Sequence, residues 1–192
     1  EAGYLRRAME LLAREYGEEL ALLGAQLPRA DQIPCLRFDE AKRLAAERYG
    51  CPIRDPYDLE PEEEARIGRY AREEYGSDFV FVTHYPSRKR PFYAMDDPDD
   101  PRYTLSFDLL LRGMEVTTGG QRIHDYAAQA AKMEARGMDP ADFESYLMIH
   151  RCGMPPHGGL GIGLERLTMQ LCGLDNIRYC SLFPRDRGRL EP

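Results

Sequence analysis

The order of periodicities along these 192 residues predicts an α+β fold, an antiparallel β-sheet flanked by helices. Three observations carry that expectation. Residues 1–76 hold three stretches with apolar residues at helical spacing. From residue 77 the chain turns to β-branched and aromatic runs. Two more helical stretches and a Gly-rich approach to a last helix then close it. The expected organisation is a single domain, with a helical segment at 1–76 and the sheet and closing helices at 77–192.

Taken in order, Glu1 to about Leu27 reads as one helix, with Met9, Leu12, Tyr16, Leu20 and Leu23 as its apolar stripe. Asp39 is the expected N-cap of a second helix, EAKRLAAERYG, which stops at Gly50. CPIRDPYDLEP is a loop. PEEEARIGRYAREEYG is a third helix, whose first-turn acids suit the positive end of the helix dipole. DFVFVTHYP and RPFYAM read as strands, and DDPDDP as a break. LSFDLLL and MEVTT form a hairpin about Arg112-Gly113. HDYAAQAAKMEARG and PADFESYLMIHRCG are helices, the second opened by Pro140 and closed by Gly153.

Hydrophobic residues make up 43% and charged residues 31%, an ordinary balance for a soluble domain. No apolar run approaches the ~18 residues of a membrane span and no signal peptide opens the chain, so no membrane role is expected. The amphipathic start suggests a chain that begins in mid-domain. The net charge of −7 argues against a general nucleic-acid-binding surface, while leaving room for a few local arginines. Five cysteines, odd in number and without a C-x-x-C pair, argue against a disulfide framework and a zinc site. They read as buried thiols in a reducing compartment, and a cytoplasmic location is expected.

With Arg112-Gly113 as a two-residue turn, Leu110 pairs with Glu115 and Asp108 shares the face of Leu110. Asp108 is then expected diagonally across from Glu115. Two carboxylates on one face of a rigid hairpin suit Mg²⁺ together with nucleotide phosphates. They equally suit two solvated acids at a sheet edge. The continuation Thr117-Thr118-Gly119-Gly120-Gln121-Arg122 adds hydroxyls, glycines that admit a ligand close to the backbone, and an arginine able to clamp a carboxylate or phosphate in two-pronged fashion. In GGLGIGLERL, glycines run into a helix bearing Arg166. Close ligand approach and tight helix-on-sheet packing both explain them. The segment is no P-loop, lacking Gly-Lys-Ser/Thr, and it does not sit in a βαβ unit. Arg166 offers stacking on a purine or contact with a terminal phosphate.

The segments YPSRKRPFYAM, SFDLLLRGMEVTTGGQRIH, GMPPHGGLGIGLERL and NIRYCSLFPRDRGRL, in this order, resemble the class II aminoacyl-tRNA synthetases, in particular the archaeal-type aspartyl enzymes and their asparaginyl relatives. The likeness is strongest over about residues 80–192, and it implies part of the class II catalytic core. GLGIGLER is similar to that family's motif three. The resemblance implies that Asp108 and Glu115 hold Mg²⁺ on the phosphates of ATP. Thr118 would stand near the metal and substrate where many members carry serine, touching both ATP and the amino acid. Arg122 would grip the side-chain carboxylate of aspartate. Gly163, Leu164, Glu165 and Arg166 would line the ATP site, with Arg166 on adenine and the γ-phosphate. Arg122 and Arg166 would thus be the catalytic pair. Arg90 stands where many members carry an amino-acid-pocket lysine, with Lys89 beside it; a planar fork replaces a point charge.

The activity so implied is ATP-dependent formation of aspartyl-adenylate and transfer to tRNA. The parts that family members carry ahead of this stretch are an α-phosphate arginine, the homodimer-forming motif one and an anticodon-reading OB-fold. Without them the chain is expected to be a fragment or one piece of a split protein, inactive alone, with tRNA gripped mainly elsewhere. A paralogue making free asparagine on the same fold, an asparaginyl enzyme and a non-enzymatic binding or dimerisation module are the other readings. The intact Asp108, Glu115, Arg122 and Arg166 set argues against the last.

Overall fold

In the computed structural model, which describes residues 1–191, the chain forms seven α-helices and a five-stranded sheet. The helices are α1 (Ala2–Glu15), α2 (Gly17–Leu23), α3 (Phe38–Tyr49), α4 (Pro61–Tyr75), α5 (Tyr126–Glu134), α6 (Glu144–Arg151) and α7 (Leu164–Cys172). The strands are β1 (Cys35–Arg37), β2 (Phe79–Thr83), β3 (Ser106–Leu111), β4 (Met114–Arg122) and β5 (His157–Ile162), adjacent in that order. β1 runs parallel to β2 and every other pair is antiparallel, so the α+β expectation holds. No described helix is long and apolar enough to cross a membrane.

Several expected elements are corrected. The long first helix divides at Tyr16, whose N–H closes onto Leu12 O; Gly17 then starts α2 with Glu18 and Glu19 at the new positive end. Of its expected stripe only Met9 is buried, joined by Leu5, while Tyr16 and Leu23 stand exposed. The second helix starts from Arg37 rather than Asp39: the Glu40 carboxylate accepts the Arg37 N–H at 3.5 Å, and buried Phe38 opens α3. RPFYAM is no strand. Pro91 offers no N–H, its carbonyl takes the Ala94 N–H in a tight turn, and the sheet pairing here is limited to isolated bridges (Ala94 to Arg122 and, just beyond the segment, Asp96 to Thr104). Residues 140–143 form a 3₁₀ turn ahead of α6. The Gly-rich run is a strand, β5, where a helix approach was expected. Of the five thiols, only Cys51 is buried, and Cys35 and Cys152 are exposed.

The sheet has a hydrophobic cluster on each face. One joins Val80, Val82 and Leu110 to Phe38 and Ala41 of α3 and to Ile67 and Ala71 of α4. The other joins Phe79, Leu109, Leu111 and Val116 to Leu5 of α1, with Leu167 of α7 against it. Between α3 and α4 lies a buried ion pair: Lys42 Nζ donates to both oxygens of Glu63 at 2.7 Å, and Glu63 also accepts the Glu60 N–H at 2.8 Å. Saturated hydrogen bonding of this kind is what makes a buried pair tolerable.

The β3–β4 turn fixes how α4 meets the sheet. Arg112 and Gly113 both take positive φ (51° and 81°), the twist that closes a two-residue hairpin. Gly68 of α4 lies on this turn at backbone contact: a Cβ there would sit 2.4 Å from Gly113 N, and a Cβ at Gly113 would sit 2.6 Å from Ala65 Cα. Arg112 ties the same turn elsewhere. Its N–H reaches Asp78 O (2.8 Å), and its guanidinium reaches Gln26 O (2.6 Å) and Gln170 O (2.7 Å).

Backbone on both sides of the Gly68–Gly113 contact leaves no flexible group to yield. Gly68→Ala is expected to cost about 3 kcal/mol, the upper part of the overpacking range. Urea melts should show a lower midpoint at unchanged slope; an unshifted midpoint would mean that the contact is looser than these distances.

Candidate functional site

Beyond Leu110, the sheet face that α4 covers opens into a cavity of about 460 Å³. Its floor is β4 and β5, from Glu115 and Thr118 to Arg122 and from Gly159 to Gly161, and its wall is the segment Arg90–Ala94. A larger cleft of about 600 Å³ lies elsewhere, among Arg29, Arg72, Arg112 and Asp78. Gly24, Gly76 and Gly173, the C-caps of three helices, line it. Helix C-termini are electronegative, and the Arg112 and Arg72 cations there are spent on carbonyl oxygens and on Asp78. That cleft is a structural knot.

A β-bulge decides which side chains share the cavity. Leu110 pairs with Glu115 as expected, but the register slips between Leu109 and Leu110, so Leu109 pairs with Thr117 and Asp108 with Thr118. Val116 and Thr117 therefore both turn to the Leu109 face and are buried. Glu115 and Thr118, three residues apart, then share the Asp108 face. Asp108 stands directly opposite Thr118 and not in the simple diagonal that an unbulged hairpin would give it.

Asp108 is 6% exposed. Its Oδ2 accepts from Arg90 at 2.6 Å, and its Oδ1 is buried without a protein partner. Arg90 also donates to Thr118 Oγ1 at 3.0 Å, and its guanidinium lies 3.8 Å from the centre of the Tyr85 ring. The planar guanidinium makes the two donations from separate nitrogens while lying against the ring, a geometry that a lysine point charge would not reproduce. Burial foremost, and then the Asp108 charge, push the Tyr85 phenol well up, and it stays neutral. Glu115 is held at its carbonyl (2.9 Å) and carboxylate (3.3 Å) by Arg166. Burial and the Asp108 charge raise its carboxyl above the usual range. Two carboxylates with an orphaned oxygen between them fit a hard cation that also takes phosphate oxygens. Among the described residues, no group of three or more His, Cys, Asp or Glu is placed to hold a metal unaided.

Arg122 lines the cavity with its guanidinium 4.3 Å from the Tyr93 ring centre, and no carboxylate of the described residues pairs with it. Glycines make its place. A Cβ at Gly159 would lie 3.0 Å from Arg122 Nε, and one at Gly120 2.8 Å from Leu105 O and Ser106 Cα. Gly163 caps α7 and donates its N–H to Val116 O at 2.8 Å, which sets Arg166 against Glu115. Gly163, Leu164, Glu165 and Arg166 flank the cavity without lining it, and Leu164 is exposed.

Sequence reasoning missed Glu64, Tyr85 and Tyr93. Glu64, in the first turn of α4, faces Glu115; burial foremost, then the Glu115 charge, raise its carboxyl to about 7. Its only mark in the sequence is membership of an acid run that the helix dipole already explains.

A model of the family described as tRNA synthetases class II (D, K and N) matches residues 4–187. An aspartate–tRNA(Asp/Asn) ligase of Thermus thermophilus is 49% identical over all of this chain, which covers 45% of that relative. An aspartate–tRNA(Asp) ligase of Pyrococcus furiosus is 40% identical over 93% of the chain and 41% of its own length. Among solved structures, the aspartyl-tRNA synthetase of Entamoeba histolytica superposes with a TM-score of 0.88 at 37% identity, over 96% of this chain and 39% of that one. An asparaginyl-tRNA synthetase of Pyrococcus horikoshii, complexed with asparaginyl-adenylate, gives 0.83 at 33% identity, over 100% and 43%. The chain thus spans less than half the length of the relatives it matches.

Because the Glu64 carboxyl is raised when folded, its contribution to stability is complete below about pH 4.5 and is lost as pH rises through about 7. Glu64→Gln removes that loss. In buffer free of divalent cations, the thermal midpoint of the variant should exceed that of the parent at pH 8 and match it near pH 4.5. A constant difference across that window would show that Glu64 does not titrate there.

Proposed function

The chain belongs to the class II tRNA synthetases of the D, K and N type, and on that footing we propose that it forms part of an aspartate–tRNA ligase. The aspartate α-carboxylate would attack the α-phosphorus of ATP to give aspartyl-adenylate with release of pyrophosphate, and a 3′-terminal ribose hydroxyl of tRNA would then take the aspartyl group with release of AMP. The observation that carries the choice of amino acid is Arg122, a guanidinium in the cavity with an aromatic ring against it and, among the described residues, no carboxylate of its own. A side-chain carboxylate supplies that missing partner, and an amide does not.

In this reading Arg122 orients aspartate by its far end and leaves the α-carboxylate free to approach the α-phosphate of ATP. Thr118 and Arg90 border the same cavity and would fix the near side of the amino acid. Arg166, at the start of α7, would meet the nucleotide. Asp108 and Glu115 would hold Mg²⁺, which when bound neutralises phosphate charge. No general base is needed, because the attacking carboxylate is already ionised. The residues act by alignment and by prearranged charge, the terms that dominate phosphoryl and nucleotidyl transfer. Binding of tRNA and homodimer assembly belong to the proposal for the whole polypeptide, to which this chain would contribute one part.

Aspartate-dependent exchange of pyrophosphate into ATP is the direct test on the full polypeptide. Exchange with aspartate and far less with asparagine is expected; exchange with neither would sink the reading. Arg122→Leu should raise the KM for aspartate about 100-fold and leave that for ATP within about twofold, since the loss of a charged partner is worth roughly 3 kcal/mol. Glu115→Ala should weaken Mg²⁺-dependent ATP binding at least ~10-fold in calorimetry; unchanged affinity would refute the metal assignment.

A further inference from the structure

The segment between Ser87 and Asp96 carries Arg90 and Tyr93 into the cavity; backbone bonds to the sheet side hold it at Ser87, Tyr93 and Met95, and the Arg88–Phe92 stretch between them makes none to the sheet. It is held from outside by α5 and the turn that ends it. Gln129, Lys132 and Arg136, spaced by three and four residues, form one row of donors along that helix. Gln129 Nε2 reaches Phe92 O at 3.0 Å, and Lys132 Nζ reaches Ala94 O at 2.7 Å and Asp96 at 2.6 Å. Arg136 spans the turn that presents Arg90: one terminal nitrogen donates to Ser87 O and the other to Arg90 O, each at 2.6 Å. Within the turn itself the Lys89 and Arg90 N–H groups reach Pro86 O (3.0 Å) and Ser87 O (3.3 Å).

We infer that Arg136 is a positioning residue for amino-acid activation, acting through Arg90. A guanidinium spent on two neutral carbonyls of one turn, with no carboxylate of the described residues paired to it, fixes geometry more than it adds charge. Its planar fork presents two separate nitrogens in fixed geometry to the two acceptors at the ends of a single turn, where an ammonium would offer one atom on a flexible stem. With the Arg90 carbonyl fixed, the side chain leaves the turn in one direction. It passes over the Tyr85 ring at 3.8 Å and divides its donors between Asp108 (2.6 Å) and Thr118 (3.0 Å). Loosening the turn would let a long, flexible arginine abandon that arrangement, and small misplacements of a positioning group are costly to rate. Arg136 does not itself line the cavity and bonds neither carboxylate of the site; it meets the lining only at the Arg90 carbonyl, so any effect on substrate must travel through the turn.

The inference rests on the aspartate-activating reading above, and its test separates the two. In the full polypeptide, Arg136→Met should raise the KM for aspartate about tenfold and leave the KM for ATP within twofold. Arg136→Lys, which keeps the charge and loses the fork, should fall between parent and Arg136→Met. Placed on an Arg90→Met background, Arg136→Met should add less than twofold. Thermal midpoints of all variants, with assays run well below the lowest, separate a change in the site from loss of fold. A tenfold effect that persists on the Arg90→Met background, or equal effects on both KM values, would overturn the positioning role while leaving the aspartate reading intact. Absence of exchange by the parent with either aspartate or asparagine would overturn that reading, and the role of Arg136 with it.

Discussion

Gly68 and Gly113 meet with no side chain between them, which brings α4 onto the β3–β4 turn at backbone distance. Much of the site follows from that approach. The turn is held from above by α4, from below through Arg112 to the carbonyls of Gln26 and Gln170, and at its root by Asp78. A hairpin so fixed at its tip cannot slide in register, and register is what assigns side chains to faces. Glu115 lies two residues beyond the turn, and Glu64 comes down on it from the same helix that carries Gly68. The contact thus sets the fold and also places the acidic end of the site.

The site is built as facing charges in a partly dry setting. Glu64, Asp108 and Glu115 stand on one side, and Arg90, Arg122 and Arg166 around them. Arg90 and Arg166 each hold one carboxylate, and Glu64 escapes its share of repulsion by a raised carboxyl. Arg122 alone is left to an aromatic face. An arrangement with one spare cation and one orphaned carboxylate oxygen, on Asp108, is incomplete toward a ligand that brings an anion and a cation together. A metal–nucleotide complex with an acidic amino acid meets both needs.

How much of this could be read from residues alone varied with how local each cause is. The helices α3 and α4 and the Arg112-Gly113 hairpin were legible, because the glycines that end the helices, Gly50 and Gly76, and the glycine of the turn mark positive φ, although the N-cap of α3 was misplaced at Asp39. Asp108 and Glu115 followed from the turn. The face of Thr118 did not, since a bulge at Val116–Thr117 has no composition of its own and shows only when partners are counted across the ladder. β5 was illegible because glycines read as helix-breaking or loop, while here they leave room for Arg122 and for the close approach of β4. The split at Tyr16 and the exposure of Leu23 lie beyond a periodicity argument, which finds an apolar stripe without saying what covers it. Glu64 and Arg136 needed the crossing of whole helices.

In the proposed reading, the choice of amino acid falls to the cavity. An unpaired guanidinium half-shielded from water is costly until a carboxylate meets it, and an amide oxygen offers one weaker acceptor to a fork built for two. That difference acts inside the cavity and belongs to residues of this chain, Arg122 above all. Relatives that resemble the chain at 49% and 40% identity carry different tRNA names. With a net charge of −7, the chain repels a polyanion at long range. A tRNA acceptor end would have to be brought to the cavity by parts of the polypeptide that carry the opposite field, with the local arginines acting only at close range.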